Sequence, residues 1–159
     1  MSAPGLALSV QYADPASTDL PDRHQVRRRV VATLDAISPE RDSVLTIRFA
    51  TRREARALNR AHRQADYVPN VLTFALHEGG PAGMPVVADI VICPAVVRAE
   101  ARAQRKSVAE HMTHMIVHGV LHAHGHDHEV DATAELMESL ERFVLRRFRI
   151  ADPYLARVP

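Results

Sequence analysis

The stretch Val86-Val87-Ala88-Asp89-Ile90-Val91-Ile92-Cys93-Pro94 reads as a strand running straight into a helix. Asp89 is the only polar residue between Val86 and Cys93. A run this apolar belongs at the centre of a sheet rather than at an edge. Pro94 opens the following helix, because its fixed φ suits a first turn. Upstream, Glu78 to Pro85 carries Gly79, Gly80, Pro81 and Gly83 and reads as a connecting loop, with a strand over Val71 to Leu76 before it.

Working outward toward the N-terminus, Leu6 to Tyr12 alternates as a strand does, and a loop with Pro15 and Pro21 follows. Asp22 to Ile37 is helical, with Val26, Val30, Leu34 and Ile37 inward, and Ser38-Pro39 ends it. Ser43 to Ala50 is a further strand. Thr51 to Arg63 is a helix, opened by Thr51 and Glu54 as a capping box. Toward the C-terminus, Ser107 and Glu110 form a second capping box. The helix they start carries Met112, Met115, Ile116 and Leu121 and is expected to be buried against the sheet. Asp131 caps a last helix running toward Ile150, with acids early and arginines late, as the helix dipole favours. Its expected inner side is Leu136, Leu140, Phe143, Val144 and Phe148. This order predicts an α+β fold with α/β-like alternation: a small mixed sheet of about four strands packed against about five helices. No repeat or linker divides residues 1–159, so one domain is expected.

Composition is that of an ordinary soluble domain, with 47% hydrophobic and 25% charged residues and a net charge of +1. No apolar run approaches the length needed to cross a bilayer, and the N-terminus lacks the basic and apolar regions of a signal peptide. Cys93 is the single cysteine, so no internal disulfide can form. A small buried side chain is the default for Cys93, ahead of a metal ligand. A cytoplasmic location is expected, with no membrane partner.

Chemistry concentrates in His118-Gly119-Val120-Leu121-His122-Ala123-His124-Gly125-His126-Asp127-His128. Residues four apart share a helix face about 6 Å apart along the axis, so His118 and His122 can reach one ion. His114 continues the stripe, but about 12 Å along the axis from His122, too far for one ion with bonds of about 2.0–2.1 Å. Gly125 can take the left-handed conformation that ends a helix. Beyond it His126 and His128 are the candidates for a third ligand. His128 is preferred, because three residues past the glycine leave room to fold back. Three imidazoles with one open position describe a catalytic zinc site better than a structural one. Gly119 stands where a zinc peptidase carries its glutamate base. It either leaves room for substrate or packs closely on a neighbouring element.

The run resembles the signature of the YbeY endoribonucleases, H-G-x-L-H-L-x-G-Y-D-H, with Ala123 in place of leucine and His126 in place of tyrosine. Leu58-Asn59-Arg60-Ala61-His62-Arg63 is similar to the family's L-N-x-x-y-R segment, Pro69-Asn70-Val71-Leu72-Thr73-Phe74 to its T-D-V-L-S-F strand, and Ala88-Asp89-Ile90-Val91-Ile92 to its G-D-I-x-I strand. Met137 and Glu141 sit where the family's last helix has a methionine and a glutamate. The resemblance implies that His118, His122 and His128 bind one Zn2+ per chain. It implies that Arg63 faces the active site and matters for activity; a guanidinium fork suits phosphate oxygens. Asn70 departs from the family's aspartate and cannot act as a base. Asp127 could orient a ligand imidazole or cap the turn after Gly125. His114 and His126 are expected at the edge of the cleft or packed beside it.

Arg52, Arg56, Arg60 and Arg63 form one stripe of their helix, opposite Ala55, Leu58 and His62. Alone this is a solvated face; beside a site that cuts RNA it is a candidate phosphate track. The resemblance implies a zinc-dependent, single-strand-specific endoribonuclease that matures the 3′ end of 16S ribosomal RNA and serves ribosome quality control. Its partners would be single-stranded and ribosomal RNA and the small ribosomal subunit with its proteins, and no DNA partner is expected. The expected chemistry is metal-assisted phosphodiester hydrolysis, with water or the RNA 2′-hydroxyl as nucleophile. Two other readings stand beside it: a zinc hydrolase of the peptidase or amidase kind, and a ribosome-assembly factor whose metal mainly stabilises the fold.

Overall fold

The computed structural model describes residues 4–76 and 83–155. His77 and the start of the glycine-rich connection, residues 78–82, lie outside the described residues. The strands are β1 (Leu6–Tyr12), β2 (Ser43–Phe49), β3 (Val71–Ala75) and β4 (Val86–Ile92). The helices are α1 (Arg23–Ile37), α2 (Arg52–Arg63), α3 (Pro94–Ala103), α4 (Val108–Ala123) and α5 (Asp131–Arg147). They build an α+β fold around one mixed sheet of order β1-β2-β4-β3. The pairs β1–β2 and β2–β4 are parallel, and β3 runs antiparallel to β4 along the edge. The apolar strand β4 is therefore interior, as its sequence predicts.

One sheet face carries the main core. Leu45, Ile47 and Phe49 of β2 and Ala88, Ile90 and Ile92 of β4 meet Val26 and Val30 of α1 and Met112, Met115, Ile116 and Val120 of α4. Among the described residues, the other face is covered only at one end, where Leu58 of α2 and Phe74 pack on Ala50, Leu72 and Val91. Val44 and Asp89 stand exposed on the remainder. Asp89, the polar residue of β4, lies on this uncovered part of the sheet.

The helix starts are set locally. Asp22 accepts from the Gln25 N–H while the Gln25 side chain accepts from the Asp22 N–H, a complete reciprocal cap. Thr51 caps α2 through the Glu54 N–H, but the Glu54 carboxylate turns away to Arg48. Ser107 accepts from the Glu110 N–H and starts α4. The cap of α5 is Val130 rather than Asp131, which is the first helical residue. The buried stripe of α5 is Met137, Glu141, Val144 and Leu145, while Leu136 and Phe143 face solvent. Of the expected inner side, Val144 is buried and Leu140 and Phe148 pack against its cluster, whereas Leu136 and Phe143 give way to Met137, Glu141 and Leu145.

Candidate metal centre and cleft

Helix α4 lies on the sheet through its glycine. A Cβ at Gly119 would sit 2.6 Å from Ile90 Cγ2 and 3.5 Å from Val71 Cγ2. Gly119 therefore serves close packing of α4 on β4 and β3, not substrate space. This approach brings the flank of the helix beside Gly119, with His118 and His122, to the β3 edge, where Val71 and Thr73 line the same cleft. The helix ends in a Schellman turn: His126 N–H donates to Leu121 O at 3.0 Å and Gly125 N–H to His122 O at 3.0 Å. Gly125 has φ +88° as that turn requires. The reversal carries the chain back along the helix and sets His128 over His118 and His122.

The three imidazoles converge. His118 Nε2 and His122 Nε2 are 3.1 Å apart, and the His128 ring lies 5.6 Å from the His118 ring and 5.3 Å from the His122 ring, centre to centre. One nitrogen from each lies within 4.8 Å of the others. Four ligands arranged tetrahedrally at zinc bond lengths stand ~3.3 Å apart. The donor set thus fits one ion, with a fourth position facing the cleft. Burial, reinforced by the charges of His118, His128 and Arg63, pushes His122 down to about 4, so at neutral pH its ring is the uncharged, ligating form.

The cleft holds ≈ 610 Å³ and is lined by Arg63, Asn70, Thr73, the three histidines, His126 and Asp127. Arg63, the last residue of α2, donates to Thr73 O at 3.3 Å, so its guanidinium crosses the open edge of β3 toward the histidines. Asn70 is tied down: its amide donates to both oxygens of Glu100, at 3.1 and 3.3 Å, and its Oδ1 accepts from Val71 N–H. Glu100 also contacts His111 Nε2 at 2.8 Å. An aspartate at position 70 would turn a carboxylate toward Glu100. Asp127 accepts from Glu129 N–H at 3.3 Å and so braces the turn after Gly125. His124 points the other way, 3.1 Å from Ser43 Oγ of β2.

Of the two places expected for His114, lining the cleft or packed beside it, the ring takes the second: it is buried next to His118 and borders a separate cavity of ≈ 350 Å³ with Glu110, Ile150 and Pro153. The arginine stripe is uneven: Arg56 makes two bonds to Asp66, and Arg60 lies 3.8 Å from the same carboxylate. Asn59, not His62, completes the inner face of α2, and His62 instead sits against the Phe74 ring.

Beneath the triad lies Glu141 of α5, which sequence reasoning did not place in the site. It is 1% exposed and contacts His114 Nε2 closely, His118 Nδ1 at 3.4 Å and the Tyr154 hydroxyl, which donates at 2.9 Å to each oxygen. Burial would raise its pKa, but the bonds from His114 and His118 outweigh that and hold it at about 2. Burial and the Glu141 charge push Tyr154 up, so its hydroxyl stays a donor. His114, His118 and Glu141 also lie close enough for an ion. In that group the carboxylate is already occupied by donors from His114, His118 and Tyr154. The signal for Glu141 was its i+4 spacing from Met137 on the buried stripe.

The profile described as Endoribonuclease YbeY matches residues 12–149. An Endoribonuclease YbeY of Thiobacillus denitrificans is 51% identical over 152 residues, covering 96% of this chain and 98% of that one. An Endoribonuclease YbeY of Methylibium petroleiphilum is 46% identical, covering 95% of each chain. The solution structure of TM1509 from Thermotoga maritima shares the fold, with a TM-score of 0.57 at 22% identity over 94% of this chain and 99% of that one. Matched along nearly its whole length by sequences of this one kind, the chain belongs to the endoribonuclease YbeY family and is an RNA-cleaving enzyme.

Proposed function

We propose that residues 1–159 form one zinc-dependent domain that cleaves single-stranded RNA in the cytoplasm. Its proposed roles are maturation of the 16S ribosomal RNA 3′ end and ribosome quality control, in contact with the small subunit. The observation that carries this reading is the convergence of three imidazoles and one guanidinium on a single open cleft. His118, His122 and His128 would hold the ion, and an all-imidazole set with a free position suits catalytic zinc. When bound there, zinc supplies Lewis acidity toward a phosphoryl oxygen and lowers the pKa of water to about 7. Arg63 grips the scissile phosphate through its planar fork and offsets charge that builds in the transition state. Its bond to Thr73 O sets the guanidinium in place before substrate arrives. Asn70 and His126 edge the substrate. Arg52, Arg56 and Arg60 extend positive charge along α2, with Arg52 the least engaged with Asp66.

The test is metal content and cleavage of a single-stranded RNA, measured side by side for the parent and His122→Ala. The parent should hold about one zinc per chain and cut, and the variant should do neither; a variant that keeps both removes the triad. Arg63→Ala should stay zinc-loaded and lose about 10²–10³-fold in kcat, and full cleavage would remove Arg63 from the mechanism. A 2′,3′-cyclic phosphate product end would assign the attack to the RNA 2′-hydroxyl instead of water.

A further inference from the structure

We propose that Glu141 is a positioning residue that fixes the ring orientation and tautomer of His118, so that Nε2 presents its lone pair to the metal. This rests on the reading of His118 as a ligand. Glu141 gathers three donors from separate parts of the chain: His114 and His118 of α4, and Tyr154 from the segment after α5. With a carboxylate at 3.4 Å from Nδ1, the proton of neutral His118 belongs on Nδ1. The lone pair then lies on Nε2, the nitrogen 3.1 Å from His122 Nε2. A carboxylate behind a metal-binding imidazole both orients the ring and raises its basicity.

The rest of the network keeps the carboxylate in place. His114 Nε2 holds one oxygen and lies 3.5 Å from the Tyr154 hydroxyl, while His114 Nδ1 is buried without a partner, so the ring's polar contacts are this carboxylate and the tyrosine that also bonds it. Tyr154 spans both oxygens, and its own segment is anchored by Arg142, which bonds Asp152 at 2.9 Å and lies 5.7 Å from the Tyr154 ring centre. Asp127, the carboxylate next to the triad in sequence, is committed to the turn and does not perform this task.

Three measurements test the assignment. Long-range 1H–15N NMR of the metal-free parent should show His118 protonated on Nδ1; protonation on Nε2 would overturn it without any variant. Zinc affinity, read by competition with a chelating dye, should fall roughly 10–100-fold in Glu141→Gln while far-UV circular dichroism is unchanged. Tyr154→Phe should fall less. Excess zinc should return cleavage by Glu141→Gln toward the parent rate. A Glu141→Gln variant of lowered melting temperature but parental zinc affinity would make Glu141 purely structural. His118→Ala separates the two layers: parental zinc affinity there would sink the metal reading itself, whereas loss there without loss in Glu141→Gln sinks only this proposal.

Discussion

At Gly119 two ordinary effects oppose each other. Replacing a mid-helix glycine by alanine favours the helix by about 1 kcal/mol. Here the added methyl would lie 2.6 Å from the branched side chain of Ile90, on the fully buried face of β4. Forcing a methyl into a packed core costs about 1–3 kcal/mol, and Ile90 is itself fully buried. Gly119→Ala should therefore be net destabilised, with a melting temperature several degrees below the parent; each kcal/mol is worth roughly 2–4 °C at this size. An equally stable Gly119→Ala would mean that α4 can rise off the sheet freely. The same contact bears on the peptidase alternative, since a glutamate at 119 would have to enter this space. Asn70 is held by a local contact of its own, its amide donating to both oxygens of Glu100.

Between elements, the loop from β1 to α1 is fastened to α3 by Arg98, which bonds Asp19 with both nitrogens at 2.6 Å and Ser17 at 2.8 Å. The Arg98 hydrogen bonds lower the Asp19 pKa from 3.8 to about 2. A depressed carboxylate adds stability that is complete above the unfolded value and lost as pH falls through the folded one. Asp19→Asn should thus be less stable than the parent at pH 7, by under about 1 kcal/mol because the pair is solvent-screened. Urea titrations should show the two proteins converging between pH 3.8 and about 2. A gap that persists to the bottom of that window would show the difference is not ionic. Local signals such as this loop's prolines, the cap at Ser107 and the reversal at Gly125 were legible in the sequence, because each is decided within a few residues. The full buried stripe of α5 was not. It includes Glu141, which an apolar pattern rejects, and the partners that make burial tolerable lie 13 to 27 residues away. Asn59 of α2 misled in the same manner, being a buried polar residue whose amide finds Tyr67 O at 3.1 Å.

Across the whole molecule, the core and the metal centre are separate constructions. The main cluster of Leu45, Ile47, Phe49, Ile90, Ile92, Met112 and Ile116 closes without any group from the turn that carries His128. The metal-free chain should therefore fold and melt cooperatively, unlike small domains that need their zinc to fold at all. Binding still adds stability by mass action, about 2.7 kcal/mol when free zinc is 100-fold above Kd. At roughly 2–4 °C per kcal/mol, calorimetry should record a rise of about 5–11 °C on adding zinc, reversed by a chelator, and no rise for His122→Ala. Failure of the chelated parent to melt cooperatively would make the metal a structural one and favour the assembly-factor reading. Cooperative melting with a zinc-dependent rise is what a preformed fold holding an open catalytic ion requires.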